Sequence, residues 1–598
     1  MTKFIIKFAL TLVFISVVVT LTDAQTLAFP SAEGYGKYAK GGRGGKVVFV
    51  DNLNDYIAYN SMETPIPGSF RWALAQYPGD SITIIFRVSG IIKLKPYLQP
   101  SGSTVVNRNE IRCTRAKMTI AGQTAPGEGI LIRNSRVNFG GCTDLIVRNV
   151  RFRVGENAAD STFLPGGSVD CENAVNVIFD HCNFGWSGEE NLTFYDNRYT
   201  TIQWSIFHDA LYDDGHGKGN RSYGSQTGGI CATYHHNLWT NNESRSPRLN
   251  GARTTNETNV FIEFINNVVY NWGSTNAAYG GDILNSGTRS HTCNFVNNYY
   301  KPGPATPTGS KYFFTNYIYS GASSIPQWYL SGNIMEGSST INSDNWTGFI
   351  WKWSGTAGTT LPTKATASSD ILLSPPSSVV YNSAWVGYTP YKISTIQTAT
   401  DAYNSILANV GTINRDSVER RVIREVKNGT ATFKASLGSW GIIDKSYNAE
   451  GYRPYANAVA PTDTDNDGMP DDWEIANGLD PNNPDDRNQK TPEGYTALEV
   501  YLASLMGDNI THNFVTAINE VKSFNAKVVP TVVNGKFKVI ADSPLLSAKV
   551  IDLNGKQLLV SSLANNNSID ISNFIKGCYF VQIKNATGAT QQFKIIKD

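Results

Sequence analysis

The sequence predicts an all-β protein whose largest part is a parallel β-helix, followed by a small acidic unit with a helix and by a C-terminal β-sandwich. Three observations support this fold class. The composition, with 53 Gly, 29 Tyr and 12 Trp but only 6 Met in 598 residues, is typical of strands and tight turns. A short strand pattern recurs between residues 118 and 301. Two segments beyond residue 460 then change character, each with a pattern of its own.

The charged residues are few and balanced. Lys and Arg number 51 against 50 Asp and Glu, which gives a net charge of +1, and charged residues make up 17% of the chain. The 41% of hydrophobic residues can form a buried core, which excludes a disordered protein. A balanced chain has no global field that would attract nucleic acid or an anionic membrane, so we expect neither as a partner.

Residues 1–24 have the layout of a secretory signal peptide. Lys3 and Lys7 give a basic start, the stretch from Phe8 to Leu21 is apolar, and Ala24 closes a short run where cleavage is expected. An apolar run of 14 residues is short for a membrane-spanning helix, which needs about 20. The sequence therefore predicts export without a membrane span, and a retained anchor is the alternative.

The cysteines indicate packing rather than cross-linking. Their number, seven, is odd, and no Cys-x-x-Cys pair is present that would suggest a zinc or redox site. Cys113, Cys142 and Cys171 recur at intervals of 29 residues, which is typical of equivalent positions in a repeat. We expect buried, unpaired thiols.

The repeated strand segments predict a β-solenoid over residues 25–455. Each segment places a small polar residue before an apolar pair, and these polar residues are separated by 34, 22, 32, 30 and 31 residues. Self-similarity at such intervals, with strand content and Gly-rich turns, favours stacked β-coils over helical repeats or an ordinary sandwich. We expect the polar residues to stack as a hydrogen-bonded ladder at a corner of the coil. The residues are Asn149, Asn183, Ser205, Asn237, Asn267 and Asn298.

Residues 461–506 are predicted to form a calcium-loop and helical unit, EF-hand-like or thrombospondin-type-3-like. Acidic side chains stand at positions 1, 3, 5, 9 and 12 of a loop with Gly468 at position 6, which is the pattern of a calcium loop. A helix with one apolar face is expected from Thr496 to Met506. The alternative is a solvated acidic linker. The expected ligands of this structural calcium ion are Asp463, Asp465, Asp467, Met469, Asp471 and Glu474.

Residues 527–598 alternate apolar and polar residues in short segments, which predicts a small β-sandwich. Asn554-Gly555 is a strong hairpin signal between two of the strands. The pattern, from Val550 to Lys556 and from Gly577 to Ile583, resembles the C-terminal sorting domain of type IX secretion substrates. That resemblance implies the type IX secretion machinery as a partner and a released or surface-attached protein. A carbohydrate-binding sandwich is the alternative.

Candidate catalytic residues cluster in the middle of the repeat. Because residues one coil apart in a β-helix stack at about 4.8 Å, distant positions can meet on one face. We expect such a convergence of carboxylates and cations there, which would suit an anionic substrate held through a bridging metal ion. The converging side chains are Asp180, Glu189 or Glu190, Lys218 and Arg245.

Several motifs resemble the pectate lyases of polysaccharide lyase family 1, in the branch of exported bacterial enzymes. They include Thr119 to Gly127, Asp180-His181, His235-His236-Asn237 and Arg245-Ser-Pro-Arg248. The resemblance implies a right-handed, single-stranded parallel β-helix. It also implies calcium-dependent β-elimination of α-1,4-linked polygalacturonate, the de-esterified form of pectin, to unsaturated oligogalacturonides. We expect a secreted monomer with Ca²⁺ as its cofactor.

The resemblance also assigns roles to individual residues. Arg245 matches the arginine that abstracts the proton, and Lys218 matches the lysine that binds the substrate carboxylate. The other implied substrate contacts are Arg248, Arg253 and His236, with Asn250 standing where the family has a further arginine. The implied ligands of the catalytic calcium ion are Asp170, Asp180, Glu189 and Glu190.

Three other functions compete with this interpretation. The segment Asp213 to Gly217 superficially resembles polygalacturonases, whose further motifs are absent. A pectin lyase acting on methylated polymer would need no calcium, and the acids at 180, 189 and 190 argue against it. A non-catalytic polysaccharide-binding β-helix would leave Arg245 without a role. Loss of turnover on substitution of Arg245 separates the lyase from the binding protein.

Overall fold

The computed structural model of the protein describes residues 25–598 apart from several short gaps. The predicted signal peptide, residues 1–24, lies outside the described residues. The chain forms two compact units, the first comprising Met1–Asn488 with Glu493–His512 and the second Gln489–Pro492 with Asn513–Asp598. The internal gaps are residues 96–97, 102–103, 108–109, 157–165, 195, 250–258, 282–289, 310, 320–325, 355–360, 370–372, 374–395, 457, 513–523, 554–555, 564–566 and 587–589.

In its described residues, the first unit contains thirty short strands. They are β1 (Lys46–Val50), β2 (Ile82–Phe86), β3 (Gly90–Lys93), β4 (Leu98–Ser101), β5 (Thr104–Asn107), β6 (Glu110–Arg112), β7 (Ala116–Ala121), β8 (Ile130–Arg133), β9 (Arg136–Asn138), β10 (Thr143–Arg148), β11 (Arg151–Arg153), β12 (Val169–Asp170), β13 (Val175–Asp180), β14 (Asn183–Gly185), β15 (Glu190–Phe194), β16 (Arg198–Gln203), β17 (Ile206–His208), β18 (Tyr223–Thr227), β19 (Ile230–His235), β20 (Leu238–Thr240), β21 (Arg248–Leu249), β22 (Asn259–Ile265), β23 (Val268–Tyr270), β24 (Ala278–Gly280), β25 (Ser290–Val296), β26 (Tyr299–Lys301), β27 (Phe314–Tyr319), β28 (Gln327–Ser331), β29 (Ile334–Met335) and β30 (Phe349–Ser354).

Twenty-eight of these strands form three parallel sheets of ten, nine and nine strands, and β4 pairs with β5 in a separate antiparallel sheet. The first sheet has the order β1-β2-β7-β10-β13-β16-β19-β22-β25-β28, the second β3-β8-β11-β14-β17-β20-β23-β26-β29, and the third β6-β9-β12-β15-β18-β21-β24-β27-β30. Each coil contributes one strand to each sheet, as when Leu145 pairs with Met118 of the preceding coil and Val177 of the next. The predicted parallel β-helix is confirmed.

Stacked aromatic rings form part of the core of the β-helix. Phe152, Phe184, Phe207 and Trp239 occupy equivalent positions of the second sheet, and their ring centroids are 5.8, 5.1 and 4.5 Å apart in turn. All four are buried. Because parallel strands place equivalent residues above one another, a repeated aromatic position becomes a continuous stack.

The corner between the first and second sheets carries the asparagine ladder. The backbone N–H groups of Ser205, Asn237 and Asn267 donate to the side-chain oxygen of the next coil's ladder residue at 2.9–3.0 Å. The ladder continues beyond the predicted set through Asn298 to Asn333. Two residues predicted for the ladder each lie one residue away from a ladder position. Asn149 stands one residue before it, where the backbone is left-handed, and Asn183 stands one residue after it, in β14 behind Cys182.

The cysteines are packing residues, as expected. All seven are free, and six are buried. The Cys142 thiol donates to the Cys113 carbonyl one coil away at 2.9 Å.

Helices cover parts of the β-helix. The predicted helix after Thr496 is present as α7, with a capping box between Thr496 and Glu499. Two longer helices that the sequence interpretation missed, α4 and α5, pack apolar residues against the second sheet. None of the helices within the described ranges is long and apolar enough to cross a membrane. The helices are α1 (Phe70–Ala75), α2 (Ser339–Ser343), α3 (Lys364–Ala367), α4 (Ala399–Asn409), α5 (Ser417–Asn428), α6 (Asp471–Ala476) and α7 (Ala497–Ser504).

The second unit contains a three-stranded and a five-stranded sheet, β31-β33-β36 and β32-β38-β37-β34-β35. Its core residues, among them Val550, Val581 and Ile583, are buried. The predicted hairpin pairs β34 with β35 antiparallel, and the Asn554-Gly555 turn itself lies outside the described residues. The strands are β31 (Ala526–Val529), β32 (Val532–Val533), β33 (Lys536–Ala541), β34 (Leu545–Ile551), β35 (Gln557–Ser562), β36 (Ser568–Asp570), β37 (Gly577–Asn585) and β38 (Thr590–Lys597).

Candidate active site

A row of polar side chains crosses the third sheet, one from each of six neighbouring strands. Strand pairing places them directly beside one another, so the row runs along the β-helix at about 4.8 Å per coil. Its members are Asn138, Asp170, Thr193, Gln226, Arg248 and Tyr279. The third sheet therefore presents an amide, an acid, a hydroxyl and a second amide, followed by a cation and a phenol, along a single line.

Arg245 lies beside this row, just before β21. Its Nε donates to the Tyr279 hydroxyl at 2.9 Å, and its guanidinium carbon lies 3.9 Å from the centroid of the Tyr223 ring. Nη1 pairs with Glu190 and donates to Gln226 at 3.2 Å. The Arg245 backbone is left-handed, with φ of 57°, so local strain accompanies this side-chain position.

The surroundings of Arg245 weaken its basicity. Burial disfavours the charged guanidinium and lowers the pKa of Arg245, and the nearby cation Arg248 acts in the same direction. Tyr279 and Glu189 oppose the shift but do not cancel it. The ion pair with Glu190 acts in the opposite direction, because a neighbouring carboxylate favours the charged guanidinium.

The acids of the third sheet pair with arginines. Asp170 lies 2.8 Å from Arg136 of the preceding coil, and burial raises the pKa of Asp170 to about 6 in spite of that arginine. Glu190 is nearly buried and pairs with Arg245, whereas Glu189 is more exposed and lies 3.7 Å from His216. The three predicted ligands Asp170, Glu189 and Glu190 therefore belong to one region.

These three carboxylates have the donor chemistry that calcium prefers, since Ca²⁺ takes oxygen ligands from carboxylates in flexible geometry. Within the described ranges, the trios of acidic groups whose ligand atoms lie within 4.8 Å of one another occur in the segment 463–486 instead. Asp170 and Glu190 would have to turn from their arginines to share one ion. With Asp170 and Glu190 turned in this way, the carboxylate oxygens of the three acids fit a calcium ion.

The predicted cations lie on the same side of the molecule. Lys218 is exposed in the Gly-rich connection between β17 and β18, where its backbone N–H donates to His216 at 3.1 Å. Arg248 is half-buried, 5.4 Å from the centroid of the Tyr279 ring. Arg253 and Asn250 lie outside the described residues.

Asp180 does not belong to this site, so its predicted convergence with the other acids is wrong. It ends β13 on the first sheet, where it is fully buried and accepts from Arg148 at 2.7 Å and Gln203 at 2.8 Å. Burial alone would raise the pKa of Asp180, but His181 and Arg148 outweigh it and hold that pKa below its usual range. The residue is a structural partner of Arg148.

His236 does not reach the site either, and its predicted substrate contact is wrong. It occupies the corner between the first and second sheets, 4% exposed, with its ring stacked 4.4 Å from that of Trp204. Nε2 lies 3.0 Å from Gln397, and burial lowers the pKa of His236 to about 3. It is a neutral packing residue.

The acidic segment beyond residue 460 brings most of its predicted ligands together. Asp463, Asp465 and Asp467 approach one another, and Asp467 also meets Glu474. Asp471 is wrong as a ligand, because both its oxygens accept from Thr464 at 2.7 Å. Asp486, which the sequence interpretation missed, takes its place in the cluster.

Two residues near Arg245, Tyr223 and Tyr279, were also missed, and so was Arg136, the partner of Asp170. The signal that could have found them is the repeat interval. Tyr223 precedes Arg245 by 22 residues and Tyr279 follows it by 34, which are both intervals of the ladder. Residues one coil from a candidate base are its expected neighbours.

Comparison with known proteins supports the export of the chain. Residues 527–598 match the sequence profile of the secretion system C-terminal sorting domain. The predicted sorting domain is thereby confirmed, and the protein is secreted or held at the cell surface. Among solved structures, similarity is found to a pectate lyase from Bacillus sp. N165 in complex with trigalacturonate (16% identity, 64% of this chain and 98% of that chain, TM-score 0.37). It is also found to pectate lyase C from Erwinia chrysanthemi (13% identity, 64% and 97%, TM-score 0.33).

Curated relatives match most of the chain. A probable pectate lyase C of Aspergillus flavus is 30% identical over 500 residues, 80% of this chain and 94% of that protein. The corresponding protein of Aspergillus terreus is 30% identical over 499 residues with the same coverage. A pectate trisaccharide-lyase of Thermotoga sp. is 26% identical over 214 residues, 35% of this chain and 49% of that protein. With this similarity and with its three-sheet β-helix, the chain belongs to the pectate lyase family and is a polysaccharide lyase.

Proposed function

We propose that the protein cleaves α-1,4-linked polygalacturonate by calcium-dependent β-elimination and releases unsaturated oligogalacturonides. The observation that carries the proposal is the setting of Arg245. Its guanidinium is largely buried, is held by Tyr279 and stacks on Tyr223, and it lies beside Glu190 in the third sheet. The row of polar groups through Asp170 and Arg248 offers a linear surface to a linear polyanion.

In the proposed reaction Arg245 accepts the proton from C5 of a galacturonate unit. The electron pair of that C–H bond forms the C4–C5 double bond, the C4–O bond breaks, and the departing glycosidic oxygen takes a proton from water. Free arginine stays protonated to above pH 12. The lowered pKa of Arg245 enlarges the fraction of neutral base, and that fraction grows as pH rises. We therefore expect an alkaline optimum.

Asp170, Glu189 and Glu190 are proposed to hold the catalytic calcium ion together with the substrate carboxylate. The ion, when bound, withdraws charge from that carboxylate and acidifies the C5 proton. Glu190 also pairs with Arg245. If Glu190 turned to the ion, Arg245 would lose the carboxylate that favours its charged form. Lys218, in the connection before β18, and Arg248, within the row, are proposed to bind substrate carboxylates.

The proposal is tested by following the ultraviolet absorbance of the C4–C5 double bond on polygalacturonate at alkaline pH. The wild-type enzyme should produce this absorbance with calcium and lose it with a chelator. Arg245→Ala and Arg245→Lys should both lower kcat by about 1,000-fold, because the general base is removed or displaced. Arg453→Ala is the matched control, since Arg453 is 63% exposed and lies near Glu450.

Other outcomes would contradict parts of the proposal. New reducing ends without absorbance would mean hydrolysis, as in polygalacturonases. Activity on methylated pectin that resists chelation would mean a calcium-independent pectin lyase. Binding of polygalacturonate with no turnover in any variant would leave a binding protein with a lyase fold.

A further inference from the structure

The acidic segment after residue 460 places carboxylates from two stretches of chain around one point. Asp463, Asp465 and Asp467 bring ligand atoms within 4.8 Å of one another, and Asp467, Glu474 and Asp486 do the same. Asp467 and Glu474 are 0% exposed and Asp486 is 3% exposed. Mutual repulsion and lost hydration make such a cluster costly unless a cation compensates it.

A second, independent observation points to a ligand. Five buried carboxylate oxygens in this cluster have no hydrogen-bond partner among the described residues, whereas buried polar atoms in folded proteins are almost always paired. Both oxygens of Glu474 are among them. The atoms are Asp465 Oδ2, Asp467 Oδ2, Glu474 Oε1, Glu474 Oε2 and Asp486 Oδ1.

We propose that one calcium ion binds to Asp465, Asp467, Asp486 and, through both oxygens, Glu474. Three single oxygens and a two-oxygen carboxylate suit Ca²⁺, which accepts six to eight oxygen ligands including bidentate carboxylates. Mg²⁺ demands a near-ideal octahedron at shorter distances and keeps several waters. The ligand set differs from the simple loop numbering, because Asp486 replaces Asp471.

The remaining acid of the loop, Asp463, pairs with an arginine of the β-helix. Asp463 accepts from Arg87 at 2.9 Å and from the Gly468 backbone N–H at 3.1 Å. Arg87 in turn lies over the Phe49 ring, 3.4 Å from its centroid. Asp463 therefore ties the calcium loop to the first strands of the β-helix.

The loop itself packs on the same strands. A Cβ atom at Gly468 would lie only 3.3 Å from Val47 and 3.4 Å from Ile85, side chains of β1 and β2. Gly468 has φ of 99°, which other residues rarely adopt. The bound ion would thus hold this segment against the edge of the first sheet and stabilise the β-helix, independently of turnover.

The full chain, freed of metal with EDTA and dialysed, is titrated with CaCl₂ by calorimetry and followed by thermal unfolding. The wild-type protein should bind one ion at this site and unfold at higher temperature with calcium. Asp486→Asn should weaken that binding at least about tenfold and abolish most of the shift in Tm. Asp471→Asn, the matched control, loses one hydrogen bond from Thr464 but should keep the wild-type calcium affinity and the wild-type shift in Tm.

The stability of the metal-free proteins gives a second readout, which separates calcium binding by Asp486 from a purely structural role of this residue. Removing one of the mutually repelling acids should make metal-free Asp486→Asn at least as stable as the metal-free wild type. A calcium-insensitive wild-type Tm would overturn the proposal. Equal losses of calcium binding in Asp471→Asn and Asp486→Asn would overturn the ligand set. Equal gains with MgCl₂ would overturn the choice of ion. None of these readouts depends on lyase activity.

Discussion

Glu263 is a fully buried acid on β22 that the proposed chemistry does not use. One of its oxygens accepts from the Thr233 hydroxyl at 2.7 Å, and the other has no hydrogen-bond partner in the described part of the chain. Burial raises the pKa of Glu263 from 4.5 to about 8, against the smaller opposing effects of the Thr233 hydroxyl and of Lys37. The folded protein therefore carries a neutral carboxyl group well above the pH at which an exposed glutamate ionises.

This residue predicts a pH dependence of stability. Between pH 4.5 and about 8 the folded state keeps the Glu263 proton and the unfolded chain has lost it. The unfolding free energy therefore falls as pH rises through this window, by up to about 5 kcal/mol, and levels off above it. Glu263→Gln should remove this loss, raising the denaturant midpoint at pH 8.5 and leaving it nearly unchanged at pH 4.5. Exposed Glu493→Gln is the control, and equal effects of both variants would contradict the assignment.

At the level of single residues, the candidate site could be predicted only in part. Motif resemblance located Arg245, Glu190 and Asp170 in one region. It failed for Asp180, which precedes Glu190 by ten residues. One coil passes through three sheets, so residues ten apart lie on different sides of the β-helix, and the acid at the end of β13 faces Arg148 instead. The side to which a residue points depends on where each short strand ends.

At the scale of elements, the repeat interval determines the fold. Equivalent strands pair in register, and the turn residues repeat with them, so the spacing of small polar residues was enough to predict the parallel coils. The ladder register was not fully predictable, because Cys182 occupies a ladder position where an asparagine was expected one residue later. Helices α4 and α5 were missed although α5 carries local helix signals, since a capping box joins Asp416 with Glu419 and Gly429 follows its last residue.

The ladder predicts that replacing a single one of its asparagines lowers the free energy of unfolding markedly. Asn267 is fully buried, its Oδ1 accepts from the Asn237 backbone N–H at 3.0 Å, and its Nδ2 donates to the Tyr234 carbonyl at 2.8 Å. Asn267→Ala leaves both partners buried and unpaired, so it should cost about 2–5 kcal/mol of unfolding free energy. Asn409→Ala, at an exposed helix end, should cost less than about 1 kcal/mol. The urea midpoints of the two variants measure these losses. Equal losses would contradict a special contribution of the ladder to stability.

At the scale of the whole β-helical unit, the chain returns along the second sheet after its last coil and is fastened there by buried ion pairs. Arg151 pairs with Glu419 at 2.8 Å, and Arg153 pairs with Asp416 at 2.6 Å. Asp416 also caps α5 and accepts from the Tyr455 hydroxyl at 2.7 Å. The two ion pairs join residues more than 260 positions apart in sequence. No local pattern could have predicted them, although the two arginines stand in a recognisable motif.

These pairs predict that the returning segment is a main source of stability. Asp416→Ala leaves the Arg153 charge buried without its partner, and it should cost about 3–5 kcal/mol of unfolding free energy. Asp344→Ala, which breaks the exposed pair with Lys364 at 3.0 Å, should cost no more than about 1 kcal/mol. Because the buried cost comes from the unpaired charge, adding Arg153→Met to an Asp416→Leu variant should recover most of the loss. A double variant as unstable as Asp416→Ala would instead mean that the cap on α5, and not the charge pair, fastens the segment.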